Sequence, residues 1–158
     1  MNALLQPEPQ LRAMRWDDLD RVLAVERAAY DFPWTRGNFV DSLAAGYLAE
    51  LLVDERLGLV GYSVAMAGVD EMHLLNLTVA PAQQRRGHAR RLLDVLQARC
   101  RDQGLATLWL EVRASNQRAR QIYARRGFAE VGQRPGYYPA AKSAREDAIV
   151  MSLALGGG

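Results

Sequence analysis

Apolar positions along the chain recur at two different spacings, and the switch between them sets out the elements. Gln10 to Arg15 suits a short strand. In L-D-R-V-L-A-V-E-R-A-A-Y the apolar residues return every three or four positions. That predicts a helix, with Asp17 or Asp18 as its cap. Phe32-Pro33-Trp34 interrupts it, since proline disfavours helical backbone at the residue before it. Thr35 is placed to cap a second short helix through Phe39 and Leu43, ended by Gly46.

Three strands are expected next. They are Tyr47 to Val53, Leu57 to Ala67 with D-E-R as the turn between, and Glu71 to Val79. The segment A-P-A-Q-Q-R-R-G-H reads as a loop. It leads into a helix from about His88 to Gln103, closed by Gly104 at the C′ position. Leu105 to Arg113 is a strand, and Asn116 caps a further helix that ends at Gly127. Phe128 to Val131 and Asp147 to Leu155 close the pattern as strands, joined by a Pro/Gly/Tyr-rich loop. A meander implies antiparallel pairs and a strand–helix–strand unit implies a parallel one. The fold class expected is therefore α/β, with a mixed central sheet and helices on both faces.

Composition narrows this only a little. A chain of 158 residues suits one domain, residues 1–158, with 49% hydrophobic and 24% charged residues. A net charge of +2 is too weak to argue for direct nucleic-acid binding. No apolar run is long enough to span a bilayer, so no membrane association is expected. The first ten residues lack the basic and apolar regions of a signal peptide. The lone Cys100 excludes an internal disulfide and suits a reduced, cytoplasmic setting. The closing glycines read as a frayed end. Oligomeric state is left open.

Two stretches carry chemistry. The run L-A-T-L-W-L-E-V places Glu111 inside an apolar strand. An isolated ionised carboxylate is costly away from water. It needs a salt-bridge partner such as Arg113, a solvated cavity, or a chemical role. The second stretch is Q-R-R-G-H-A-R-R between a strand and a helix. Gly87 permits positive φ and close approach of a ligand to the backbone. The free N–H groups of the first helical turn, near His88 to Arg90, make an anion site reinforced by the helix dipole. Arg85, Arg86, Arg90 and Arg91 surround it. A pyrophosphate suits such a site, and so does the plainer reading of a solvated basic turn. The spacing fits neither the Walker loop nor the dinucleotide fingerprint.

Q-R-R-G-H-A fits the Q/R-x-x-G-x-G/A pattern, and in this the chain resembles the GNAT N-acetyltransferases. W-L-E-V-R-A-S-N, I-Y-A-R-R-G-F, Y-Y-P, R-E-D-A-I-V-M and the early F-P-W resemble, within that family, the RimI group of ribosomal-protein-alanine N-acetyltransferases. The likeness runs from about Phe32 to Met151. Ala89 stands where many relatives carry a second glycine, which touches only fine loop geometry.

The resemblance implies acetyl-CoA as co-substrate, a ribosomal protein N-terminus as acceptor, and the GNAT fold. It implies Glu111 as general base and Tyr123 as general acid. Acetyl transfer needs a neutral amine, and a partly buried carboxylate can take the proton, directly or through water. A tyrosine hydroxyl can protonate the CoA thiolate. Tyr123 follows Asn116 by about two helical turns, so both fall near one helix face. Read from residues alone, Glu111 is equally a sheet residue paired to an arginine, and Tyr123 a core tyrosine.

By the same resemblance Arg85, Arg86, Gly87, His88, Ala89 and Arg90 hold the pyrophosphate. The backbone of Leu77, Thr78 and Val79 pairs with the pantetheine arm, the Val79 amide facing the thioester carbonyl. Asn116 is a helix cap, a cofactor contact, or both. Phe32, Trp34, Tyr137 and Tyr138 form an aromatic acceptor groove or pack as ordinary loop residues. His73 has no partner at metal-ligand spacing and His88 lies in a loop, so no metal is expected. Cys100 reads as a small core residue. Two other functions stay open: acetylation of lysines or small amines, and acyl-CoA binding without catalysis.

Overall fold

The computed structural model describes residues 8–156. The expectations for the start of the chain and for its last glycines fall largely on residues 1–7 and 157–158 and lie outside the described residues. The elements are β1 (Gln10–Ala13), α1 (Leu19–Ala29), α2 (Arg36–Ala44), β2 (Leu48–Asp54), β3 (Gly58–Ala67), β4 (Glu71–Val79), α3 (His88–Asp102), β5 (Thr107–Arg113), α4 (Gln117–Arg125), β6 (Ala129–Pro139) and β7 (Arg145–Ala154). The seven strands lie in the order β1-β2-β3-β4-β5-β7-β6. The meander pairs β1–β2 and β2–β3 are antiparallel, and the crossover pair β4–β5 is parallel.

The chain divides into two compact units. One runs through Ala65 and adds Asn76–Val95; the other comprises Met66–Leu75 and the chain from Leu96 onward. In the first, Leu52, Val60 and Leu92 form a buried cluster with Leu11, Leu77 and Val79 against it. Phe39 and Tyr62 are also fully buried there, with their rings edge to face at 5.9 Å. In the second unit Met72, Leu108, Leu110 and Met151 are the largest fully buried side chains of the strands.

Helix ends follow the expected chemistry at most positions. Thr35 Oγ1 accepts from the Asn38 N–H at 3.2 Å. Asn116 Oδ1 accepts from the Ala119 N–H at 3.1 Å. At Gly104 (φ 68°) the Leu105 N–H reaches the Cys100 carbonyl and the Gly104 N–H reaches Arg101, the paired bonds of a Schellman ending. Gly127 (φ 106°) repeats it, with Phe128 bonded to Tyr123 and Gly127 to Ala124.

Asp18 departs from expectation. It stands at the start of α1, but its side chain makes no cap bond. Its carboxylate, 3% exposed, accepts from Arg12 at 2.6 and 2.9 Å, from Arg21 at 2.7 Å and from the Arg15 N–H at 2.7 Å. A charge-assisted, bidentate arginine contact is stronger than a neutral cap bond. The Arg12 hydrogen bonds lead in holding the Asp18 carboxyl far below the usual carboxylate range, against the opposing effect of burial. A depressed folded-state pKa stabilises the fold above the unfolded value of about 3.9, and that stabilisation drains away as pH falls below it. Asp18→Asn is expected to cost about 3 kcal/mol at pH 7. Urea melts of both proteins should converge toward pH 2, and a constant gap across that range would show that the charge is not what stabilises.

The stretch expected as a Pro/Gly/Tyr-rich loop is instead the second half of β6, which runs to Pro139 and pairs with β7. The register slips between Arg134 and Tyr138, so Pro135 needs no ladder bond, and β6 is the last strand in the order. Gly136 takes φ 59° in this bulge. The freed backbone groups are met by β7 side chains. Asp147 accepts from the Gly136 N–H at 2.9 Å, and Arg145 donates to the Gly136 and Tyr137 carbonyls at 3.0 and 3.1 Å.

Candidate active site

The Q-R-R-G-H turn, in the first unit, is built by two left-handed residues in three. Arg85 has φ 66° and Gly87 φ 84°. The chain then enters α3 at His88, and the Arg91 N–H closes on the Gly87 carbonyl at 3.1 Å. The N–H groups before Arg91 have no carbonyl one turn back within the helix, so helix geometry leaves them for an anion. Arg85, Arg86 and Arg90 are exposed beside them, and Ala89 is half-buried. Burial first, then the Arg86 and Arg91 charges, pushes the His88 imidazole below its usual range. His88 is therefore neutral at physiological pH and adds no charge to the turn.

A Cβ at Gly87 would meet nothing within 4 Å, so backbone conformation rather than space demands glycine. Gly87→Val should fold, because the site is exposed, yet pull the turn out of its left-handed form. Acetyl-CoA affinity is expected to fall at least about 10-fold, in line with the 1–3 kcal/mol cost of such backbone. Isothermal titration checks it, and unaltered affinity would detach the turn from the cofactor.

The same unit holds a buried polar network that sequence reasoning missed. Glu26 on α1 is 2% exposed. Its Oε1 accepts from the Tyr62 hydroxyl at 2.6 Å and Asn76 Nδ2 at 3.1 Å, and its Oε2 from the Trp34 N–H at 2.9 Å. The Thr78 hydroxyl bonds Asn76 at 2.6 Å, and the Tyr30 hydroxyl meets Thr78 at 2.8 Å and the Leu77 carbonyl at 3.2 Å. Burial, then the Glu26 contact, pushes the Tyr62 hydroxyl far up, so it stays a donor. Tyr30 exposes part of its ring, but its seated hydroxyl is pushed up to about 12, chiefly by burial. Leu77, Thr78 and Val79 are thus fixed from one side by α1 and the segment after it. From the other side β3 approaches so closely that a Cβ at Gly61 would lie 2.6 Å from the Thr78 carbonyl. The ladder from β4 to β5 ends at Leu74↔Leu110, while β4 runs on to Val79. Glu26 carried no sequence signal beyond its place in a helix whose apolar face it shares.

Trp34 packs on Phe39 with ring centroids 5.1 Å apart, and Phe32 is 42% exposed. In the second unit Tyr137, 45% exposed, and Tyr138 meet edge to face at 4.9 Å. The guanidinium of Arg134 lies 5.6 Å from the Tyr137 ring centroid, and that of Arg113 lies 4.6 Å from the Tyr138 ring centroid. Of the expected aromatics, Tyr137 and Tyr138 pair with each other, whereas Trp34 packs on Phe39.

Glu111 lies in the second unit on β5, its side chain 8% exposed. Its Oε1 is 2.8 Å from His73 Nε2 on β4, and its Oε2 is 3.8 Å from Arg134 Nε on β6. His73 faces Trp109 in the parallel register, which sets its side chain beside the one two residues further on. Arg113, the partner considered from sequence, bonds Glu146 at 3.2 Å and the Pro139 carbonyl at 2.8 Å. Burial, followed by the charge of Glu111, pushes the Tyr138 hydroxyl well up, so it stays protonated. Tyr123, on α4, is 9% exposed and packs edge to face on Phe128 at 5.5 Å. Asn116 is the α4 cap. Cys100 is fully buried, and that burial pushes its thiol up, away from nucleophilic use. Among the described residues no group of three or more His, Cys, Asp or Glu is placed to hold a metal ion. No helix among them is long and apolar enough to cross a membrane.

The sequence model of the Acetyltransferase (GNAT) family matches residues 9–128. The chain belongs to that family. It is an acetyl-CoA-dependent N-acetyltransferase with the GNAT fold. Relatives agree with the family over nearly their full length. The [ribosomal protein bS18]-alanine N-acetyltransferase of Haemophilus ducreyi is 37% identical over 138 residues, which is 87% of this chain and 94% of that protein. The enzyme of the same name from Salmonella typhimurium is 39% identical over 139 residues, 87% of this chain and 92% of that protein. The crystal structure of the ribosomal-protein-S18-alanine N-acetyltransferase from Escherichia coli superposes with a TM-score of 0.85 at 36% identity, covering 92% of this chain and 93% of that one.

Proposed function

We propose that this acetyltransferase modifies the N-terminal alanine of ribosomal protein bS18, transferring acetyl directly from acetyl-CoA to the α-amine. The observation that carries the substrate is the likeness to enzymes of that name over about nine-tenths of the chain. The ribosomal substrate puts the reaction in the cytoplasm.

Glu111 acts as general base and Tyr123 as general acid. In support, Glu111 is a nearly buried carboxylate, partnered by a histidine and a guanidinium rather than left isolated. Arg85, Arg86, Gly87, His88, Ala89 and Arg90 hold the cofactor pyrophosphate on the α3 N-terminus. The backbone of Leu77, Thr78 and Val79 pairs with the pantetheine arm, the Val79 N–H stabilising the oxyanion of the tetrahedral intermediate. Asn116 caps α4 and contributes to the cofactor contact. Phe32, Trp34, Tyr137 and Tyr138 offer aromatic contacts to the acceptor peptide.

Acceptor choice follows from proton affinity. At pH 7 roughly a tenth of a peptide α-amine of pKa about 8 is neutral, against about one part in 2,500 of a lysine of pKa 10.4. A base acting on the α-amine therefore has a head start of over ~2 orders of magnitude. A peptide that begins with alanine and copies the bS18 N-terminus should be acetylated on the α-amine when read by mass spectrometry. The N-terminally blocked peptide with free lysines should react poorly. Comparable acetylation of the blocked peptide would overturn the α-amine assignment, and absence of any CoA thiol release would overturn the catalytic reading.

A further inference from the structure

We infer that His73 is the second member of a proton-accepting pair with Glu111, taking from the carboxylate the proton that the carboxylate takes from the acceptor amine. The inference rests on the proposed role of Glu111 as base. His73 Nε2 lies 2.8 Å from Glu111 Oε1, a hydrogen-bond distance that serves either direction of proton transfer. The Glu111 side chain is 8% exposed and that of His73 is 25% exposed. The carboxylate is thus the inner group, and the imidazole is the one that solvent reaches.

The stoichiometry of amide formation favours such a pair. An ammonium carries three N–H bonds and the secondary amide product carries one. The CoA thiolate keeps one of the two protons released, through Tyr123, and the other leaves for solvent. A lone buried carboxylate must shed its first proton before it serves again. In the pair, the amine N–H bond breaks as the Glu111 O–H bond forms, and the electron pair stays on nitrogen. The Glu111 O–H then donates to His73 Nε2. The proton crosses, the carboxylate is restored, and the imidazolium returns the proton to water.

The groups around the pair fit these roles. Arg134, with its side chain 54% exposed, faces the other Glu111 oxygen at 3.8 Å and balances its charge. Arg113 is engaged by Glu146, and Tyr138, whose hydroxyl stays protonated, adds no charge. Glu71, two residues from His73 on the same strand, is exposed. Histidine is the side chain whose ordinary pKa lies nearest the working pH, which suits a relay to water.

The test uses the full chain with the alanine-initiated peptide and acetyl-CoA, and follows thiol release from pH 6 to 10. His73→Gln keeps a donor toward Glu111 but cannot accept a proton, and His73→Phe removes both functions. At pH 7 the Gln variant is expected to lose about 10-fold in kcat/KM for the peptide, the lower end of the range for a proton-transfer group. The deficit should shrink as pH passes the amine pKa, with KM for acetyl-CoA and the urea midpoint unmoved. Added imidazole should restore part of the rate. In the Glu111→Gln background, His73→Gln should add no further loss, since the two act as one unit. A wild-type pH profile for His73→Gln overturns the inference, and with a slow His73→Phe it would mean that His73 only orients Glu111. If Glu111→Gln itself keeps wild-type rates, the base assignment fails and the pair with it. A slow Glu111→Gln beside a wild-type His73→Gln fails the pair alone.

Discussion

Glu111→Gln is expected to remove most turnover near neutral pH, by roughly 10²- to 10⁴-fold, the range for losing a general base. Glutamine keeps the shape of the side chain and a hydrogen-bonding atom for His73, so the sheet around β5 should hold. What disappears is an oxygen that accepts a full proton. The amine must then deprotonate unaided, and the fraction that does so rises tenfold per pH unit up to its pKa of about 8. The variant should therefore recover activity as pH rises from 6 to 9, while the parent enzyme levels off earlier. The measurement is a pH–rate series with a thiol-detecting assay at saturating acetyl-CoA. Parallel profiles for parent and variant would remove Glu111 from the mechanism and leave it as a structural carboxylate hydrogen-bonded to His73 and facing Arg134.

Tyr123→Phe is expected to lower kcat on the order of 10²-fold with little change in acetyl-CoA affinity. The ring of Tyr123 is held by its burial and by Phe128, and phenylalanine keeps both. The substitution therefore tests the hydroxyl alone. As the proposed acid, that hydroxyl protonates the departing thiolate, so its loss slows chemistry and leaves binding intact. A packing role predicts the opposite split: a stability change of about 1 kcal/mol from a lost hydrogen bond, with kcat preserved. Stopped-time assays beside thermal melts separate the two, and near-parental kcat would assign Tyr123 to the core.

Sequence by itself determined the local elements and the family. The strand ends at Val53, Ala67, Val79 and Arg113 agree with the structure to within a residue, because a period of two and a turn residue are both local signals. Thr35, Asn116, Gly104 and Gly127 disclosed helix ends for the same reason, since each meets a backbone demand within a few residues. The Q-R-R-G-H turn and the placing of Glu111 in a strand were legible in the same way.

Tertiary structure decided what partners those residues have. Pairing of His73 with Glu111 depends on the parallel register of β4 and β5, separated in the chain by α3, and no periodicity encodes a register. Arg134 reaches Glu111 from a segment that reads in sequence as a Pro/Gly/Tyr-rich loop. It is held as strand beside β7, where Asp147 and Arg145 bond the backbone of Gly136 and Tyr137 across the bulge. Asp18 was legible as a helix start but not as the anchor of Arg12 and Arg21, because a local cap and a charged pair compete and the stronger bond is found only once the chain has folded. Glu26 is the plainest case. Its position in an amphipathic helix shows that it is helical, whereas the hydroxyl, amide and backbone N–H that make its burial tolerable come from β3, β4 and the segment between α1 and α2.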